Sequence, residues 1–176
     1  WDPATANPVG AGSSAEYGDI FDIMGEGPVP AGHFNVQAKQ MLGWLPAADW
    51  ADATARGSGL YRLQRFDAAD ATGQRAVRIT KGSGEYYWIG YRQNFPANPS
   101  LLTGVNLLWQ KPGQSRCWLV DTRPLSPAGK EDAGLAMGRT YSDAAAGIHL
   151  TPVARGGDSP NEWIEVRVFI GSSPSM

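Results

Sequence analysis

The feature that most constrains this chain is a succession of short extended runs cut apart by glycine, proline, aspartate and lysine. The clearest run is residues 162–170, Glu162-Trp163-Ile164-Glu165-Val166-Arg167-Val168-Phe169-Ile170. In it Trp163, Glu165, Arg167 and Phe169 point one way and Ile164, Val166, Val168 and Ile170 the other. Period-two alternation of this kind belongs to a strand with one buried face. Seven more runs read as extended, at residues 60–66, 74–80, 85–92, 104–110, 115–121, 139–143 and 147–154. Between them lie Asp70-Ala71-Thr72-Gly73, Lys81-Gly82-Ser83-Gly84, Lys111-Pro112-Gly113-Gln114 and Ala154-Arg155-Gly156-Gly157, each with the composition of a turn. With 22 glycines and 13 prolines, long helices are disfavoured. The expected fold is mainly β: an antiparallel β-sandwich of about eight strands, with the Pro-rich stretch 122–138 crossing between sheets. Trp88, Trp109, Trp118 and Trp163 fall in these strands and are expected in its core.

Upstream the character differs. Residues 1–15 lack periodicity and read as an irregular loop, and residues 19–24 as a tight turn or a short buried strand. Residues 25–30, with Pro28 and Pro30, read as extended connector. Residues 32–42 predict one short α-helix. There Phe34, Ala38, Met41 and Leu42 share a face at i, i+4, i+7 and i+8, and Gly43 supplies the stop. Residues 46–59 are small and polar and read as a linker. The division expected is therefore 1–45, a loop, turn and helix; 46–59, the linker; and 60–176, a sandwich that folds as a unit.

Bulk properties exclude several functions. A net charge of −2 offers no electrostatic footprint for nucleic acid or an anionic membrane. No apolar run approaches the length of a membrane span. The lone Cys117 rules out an internal disulfide framework. His33, His149 and Cys117 lack the spacing of zinc ligands, so no metal site is expected from this chain alone. No Gly-x-Ser-x-Gly elbow occurs, and the prolines after Gly25-Glu26-Gly27 remove the N–H groups a phosphate loop needs. Glu16, Asp19, Asp22 and Glu26 cluster, which makes Asp19 and Asp22 candidate calcium ligands. The competing reading is that these side chains only tie down a turn.

Two linked motifs carry a resemblance. Gly18-Asp19-Ile20-Phe21-Asp22-Ile23-Met24-Gly25 is followed by a Gly32-His33-Phe34-Asn35 helix that ends Leu42-Gly43-Trp44-Leu45. Together they resemble the Met-turn region of gametolysin-like and immune-inhibitor-A-like metzincins, which are secreted zinc metallopeptidases. Tyr86-Tyr87-Trp88-Ile89-Gly90-Tyr91-Arg92 and Leu135-Ala136-Met137-Gly138-Arg139-Thr140-Tyr141-Ser142-Asp143 look like the β-sandwich that follows the catalytic domain in many of them. The resemblance implies that Met24 and Gly25 form the Met-turn, with Met24 as an apolar floor beneath the zinc. It also implies that Gly27, Pro28 and Val29 border the pocket for the side chain after the scissile bond. The His-Glu-x-x-His zinc helix does not occur in these residues.

The chain opens at Trp1, with neither a starting Met nor a signal peptide, and is expected to come from a longer precursor whose upstream segment carries zinc, general base and ligands. Peptide or protein substrates, secretion and zinc thus belong to the full-length parent, and this chain alone is expected to be inactive with no catalytic residue of its own. The other reading is a non-catalytic β-sandwich module that binds carbohydrate or protein, its tryptophans exposed as a stacking platform.

Overall fold

The computed structural model describes residues 9, 14–27, 33–95 and 98–171. In chain order these form α1 (Val36–Met41), a single 3-10 turn (Ala47–Asp49), β1 (Trp50–Asp52), α2 (Ala53–Arg56), β2 (Gly59–Gln64), β3 (Ala76–Gly82), β4 (Glu85–Gly90), α3 (Pro99–Leu102) and β5 (Gly104–Gln110). There follow β6 (Cys117–Leu119), a second 3-10 turn (Gly129–Asp132), β7 (Leu135–Ala136), β8 (Tyr141–Asp143), β9 (Ile148–Gly156) and β10 (Trp163–Ile170). Each of the eight runs read from the sequence holds one of these ten strands. β1 and β7 are additional.

The strands make two sheets. One has the order β1-β3-β4-β5-β6, with β7 beside β5, and the other the order β2-β10-β9-β8. All pairings are antiparallel except β1 with β3, where Trp50 lies opposite Ala76 and Asp52 opposite Arg78. Residues 46–59, expected as a linker, are therefore built into the sandwich. Their strand closes one edge of the larger sheet, and Asp52 caps α2 by accepting from Thr54 N and Ala55 N.

Alternation puts one face of each sheet into a shared core. Val77, Ile79, Tyr87, Ile89, Val105 and Leu107 come from the larger sheet, and Leu63, Ile148, Leu150, Ile164, Val166 and Val168 from the smaller. In β10 the alternation holds as expected, with Ile164, Val166 and Val168 buried. A polar contact crosses this core. The Tyr87 hydroxyl lies 2.8 Å from both the Tyr141 hydroxyl and Asp143 Oδ2, and burial pushes both phenols up from their ordinary values. It joins β4 of one sheet to β8 of the other.

The larger sheet also buries part of its outer face. Ala76, Trp88 and Leu108 point outward and are covered by Val36, Leu45 and Phe66. The seat is Gly90, where an added Cβ would lie 2.6 Å from Val36 Cγ1 and 3.0 Å from the Phe66 ring. Helix α1 thus rests on the sheet through Val36 and Gln37, whose Nε2 donates to Ser115 O at 3.1 Å. Of the face read along the helix, Phe34 and Ala38 are half-buried and Met41 and Leu42 exposed. The helix is shorter than the expected 32–42, starting at the Asn35 cap, whose Oδ1 accepts from Ala38 N.

The tryptophans also depart from expectation. Among the described tryptophans only Trp88 is fully buried; Trp50, Trp109, Trp118 and Trp163 are half-buried and Trp44 exposed. Each half-buried ring carries a cation: Arg78 lies 4.9 Å from the Trp50 centroid, Lys111 4.8 Å from Trp109 and 4.5 Å from Trp118, and Arg62 4.0 Å from Trp163. Trp163→Ala should accordingly cost only ~1–2 kcal/mol, the loss of a stacked, partly wet ring. Trp88→Ala empties a packed site and should cost ~3–5 kcal/mol. Equal losses for the two variants in urea denaturation would contradict this assignment of faces. Gly90→Ala should cost ~1–3 kcal/mol through overpacking, and Val36→Ala in the same chain should recover part of that. Additive losses for the pair would mean that the seat at Gly90 does not limit the approach of α1.

Candidate functional site

The turn between Asp19 and Gly27 is the segment on which the sequence motifs converge, and short-range polar bonds explain its shape. Asp19 Oδ1 accepts from Phe21 N and Asp22 Oδ1 from Met24 N, each at 2.9 Å, two successive Asx-type turns. Backbone bonds close it: Gly25 N to Asp22 O at 2.9 Å, Glu26 N to Asp19 O at 3.0 Å and Gly27 N to Asp22 O at 3.1 Å. Side chains at two positions would break this closure. A Cβ on Gly25 would meet Asp19 O at 2.2 Å, and one on Gly27 would meet Asp22 O at 2.6 Å. The motif glycines are there because the backbone passes itself too closely for anything larger.

The turn is clamped from below. Asp22 is buried, and its Oδ2 accepts from Asn35 N at 3.1 Å and from Asn35 Nδ2. One carboxylate therefore shapes the turn with one oxygen and holds the N-cap of α1 with the other. Phe21 sits in a small core with Phe95, Leu101 and Ala133, edge-on to Phe95 at 5.6 Å. Its carbonyl accepts from Nη1 of the buried Arg92 at 2.6 Å. Arg92 lies over the Phe95 ring at 4.6 Å and beside Asp67, whose Oδ1 accepts from Arg65 Nε at 2.7 Å. Lys39 on α1 donates to Phe66 O at 2.7 Å, and burial pushes its amine down to about 8.

On its other side the turn exposes several side chains, and Glu26 pairs with Lys130 at 3.3 Å. Met24 is 64% exposed and Ile23 and Tyr17 are also exposed, with Tyr17 at φ 56°. Gly25 and Gly27 are half-buried at the rim. Pro28 and Val29, the remaining expected pocket residues, lie outside the described residues.

The candidate calcium ligands Asp19 and Asp22 spend three of their four oxygens as follows: one on Phe21 N, one on Met24 N and one on Asn35. Burial pushes the Asp19 carboxyl up to about 6, with the Asp22 charge adding to the rise and the Phe21 N–H and Arg92 opposing it. A carboxyl that resists ionisation suits a turn tie better than a hard cation. Among the described residues no three His, Cys, Asp or Glu side chains group as metal ligands. His33 lies beside Phe34 O and edge-on to Phe66. His149 lies on the outer face of the smaller sheet against Ser142. Burial pushes the Cys117 thiol well above its ordinary value, opposite to what a thiolate ligand needs. The zinc that the resemblance implies does not fit these residues, and no chemical step through it follows from them.

Two parts of this site were not read from the sequence: Arg92 beneath the turn, and the Asp67 pair that holds it. A basic residue at the end of a strongly apolar strand was the available signal.

The Asp19 shift makes a pH prediction. Its folded value lies above the 3.8 of an ordinary aspartate, so the native state holds the proton more tightly. This stability contribution is full below pH ~4 and is lost as pH rises through about 6. Asp19→Asn keeps the Oδ1 acceptor and never ionises. Its stability relative to the parent chain should rise between pH 4 and 7 by up to ~3 kcal/mol, about two pKa units at ~1.4 kcal/mol each. A difference that stays flat across that range in chemical denaturation would remove the buried-carboxyl reading.

Compared with protein-family models, with curated proteins and with solved structures, the chain matches none.

Proposed function

We propose that this chain is the downstream part of a secreted zinc metallopeptidase: the floor of the catalytic domain at residues 1–45, followed by a sandwich that seats it. The observation that carries the reading is the bond between the two motifs. Asp22, from the Gly-Asp-x-x-Asp-x-Met-Gly stretch, binds Asn35, from the Gly-His-Phe-Asn stretch, through both its N–H and its side-chain amide. Residues that resemble a family's signature are thereby one physical unit. That unit offers a methionine outward on a turn whose backbone is fixed from within.

Such a turn has the properties a floor requires. A floor beneath a metal site needs an apolar surface that does not shift when a substrate presses on it. Asx bonds, glycine-limited backbone crossings and a buried arginine below supply that stiffness. The exposed apolar side chains at the C-terminal end of α1 and just beyond it, Met41, Leu42 and Trp44, offer a surface for further chain. In this reading the zinc helix, its general base and the attacking water come from an upstream segment of the same precursor, which is the partner of this surface. Peptide or protein substrates lie between the two, along Gly25 and Gly27.

The carbohydrate-module reading has less behind it. A stacking platform needs free ring faces, and the half-buried tryptophans have theirs occupied by Arg62, Arg78 and Lys111.

The test is metal analysis with a casein assay on two chains. The 176 residues alone should retain no stoichiometric zinc after dialysis and should cleave nothing. Extension by the coding sequence that precedes them should bring one zinc per chain and activity. In the extended chain Met24→Ala should lower activity while changing stability of the short chain by less than ~0.5 kcal/mol, the usual surface range. Zinc held by the short chain and lost on His33→Ala or His149→Ala would overturn the proposal.

A further inference from the structure

Among the described residues five strands have a neighbour on one side only, and four of them are blunt: β7 is two residues long, and β1, β6 and β8 are three residues each. Shortness is one way a protein keeps a sheet edge from pairing with another chain. β2 differs: it runs six residues, Gly59–Gln64, in unbroken register with β10, without proline or lysine.

The direction of its free groups follows from its bonds. Arg65 N donates toward β10, to Glu162 O at 3.0 Å. On the other side Gln64 N donates to Gln74 O at 2.7 Å and Arg62 O accepts from Gln74 Nε2 at 3.3 Å. Groups alternate sides along a strand, so Leu60 and Arg62 face away from β10. Gln74 covers the Gln64 end of this edge. Toward Gly59 no described residue bonds the N–H or C=O of Leu60 or the N–H of Arg62.

A hollow of about 320 Å3 lies along that open stretch, lined by Arg56, Ser58, Leu60, Arg62 and Gln74 among others. Leu60 is 59% exposed. The charged side chains of the lining are both arginines. Arg56 donates to Gln74 Oε1 at 3.1 Å, and Arg62 pairs with Glu165 at 2.9 Å on the outer face. Glu165 offsets the charge of Arg62, whereas Arg56 has no carboxylate among its described hydrogen bonds and ion pairs and leaves the hollow one positive charge to offer a ligand.

We propose that the free edge of β2 takes an extended peptide segment with an acidic side chain, which adds as a strand beside residues 59–62. The Leu60 N–H and C=O and the Arg62 N–H supply main-chain bonds, the Leu60 side chain packs on an apolar neighbour, and the Arg56 guanidinium pairs with the carboxylate. This site lies on the smaller sheet and does not depend on the peptidase reading.

The probe is an acetylated, amidated hexapeptide alternating valine with glutamate, titrated into the 15N-labelled 176-residue chain. The Leu60 and Arg62 amides should shift and exchange hydrogen more slowly. The same peptide with lysine for glutamate, or with alternate nitrogens methylated along the pairing edge, should leave both unmoved. Arg56→Glu should weaken binding by about tenfold or more, the size of one charge-assisted bond. Leu60→Pro should abolish it; if that variant does not fold, Arg56→Glu and the methylated peptide decide. Absence of shifts, or equal shifts with the lysine or methylated peptide, would overturn the proposal. So would protection of the two amides without peptide that grows with protein concentration alongside a sedimenting dimer, since a second copy of the chain would then hold the edge.

Discussion

Strand β4 carries large side chains on both faces, and most of the architecture follows from that. Tyr87 and Ile89 enter the core between the sheets, while Trp88 points the opposite way and is just as buried. A sandwich sheet with one wet face would leave Trp88 in water, so something must cover it. The cover is the segment from Val36 to Leu45, and it can approach only because β4 ends in Gly90. Burial of this kind is worth roughly 25 cal/mol per Å2 of apolar surface, and Trp88, Leu108 and Phe66 lose part of it if Val36 and Leu45 are removed. The upstream segment is thus part of the larger sheet's packing, and the sandwich read as starting at residue 60 draws on it and on β1.

The polar joints lie where the apolar cover ends. Arg92 extends β4's line past Gly90 and is buried with its guanidinium under the turn, bonded to the Phe21 carbonyl and flanked by Asp67. Removing one member of such a buried set costs more than the set adds, because its partners stay desolvated. The Tyr87, Tyr141 and Asp143 contact does the same between the sheets. Both joints sit on or just after β4, one toward each face. Outside them the half-buried tryptophans Trp50, Trp109, Trp118 and Trp163 each carry a cation, which lets large rings sit half-wet on the sheets.

The sequence announced its strands well because their signal is local: alternation and turn residues place each run with no knowledge of its neighbours. It was silent on β1 and β7 for the same reason. Trp50-Ala51-Asp52 is three residues in a small, polar stretch, and it is a strand only because β3 runs parallel beside it. The helix misled in a different way. Its apolar stripe is real, yet Val36 and Gln37 face the sheet, since the notch at Gly90 admits a valine there and nothing in a helical wheel records a notch. For the site, glycine spacing and Asp19 and Asp22 were legible as a turn. Arg92 was not, because a basic residue at the end of an apolar strand does not tell which carbonyl it serves 71 positions away.

The same distinction bears on what the turn is for. Local bonds alone would make a turn at Asp19–Gly27, since both Asx contacts and all three closing backbone bonds lie within it. They would not hold it in one place. Fixed position comes from the buried Asp22 reaching the half-buried Asn35, from Phe21 in its aromatic pocket and from the buried Arg92 below, the partners all lying beyond the turn itself in sequence. A surface loop that served only to connect two elements would gain little from three such anchors, and connecting loops usually carry none. Here the anchored side faces the sandwich, and the free side holds a methionine and an isoleucine out to solvent. Rigidity beneath and apolar exposure above are what a surface needs when another part of a molecule must bear on it in a fixed geometry.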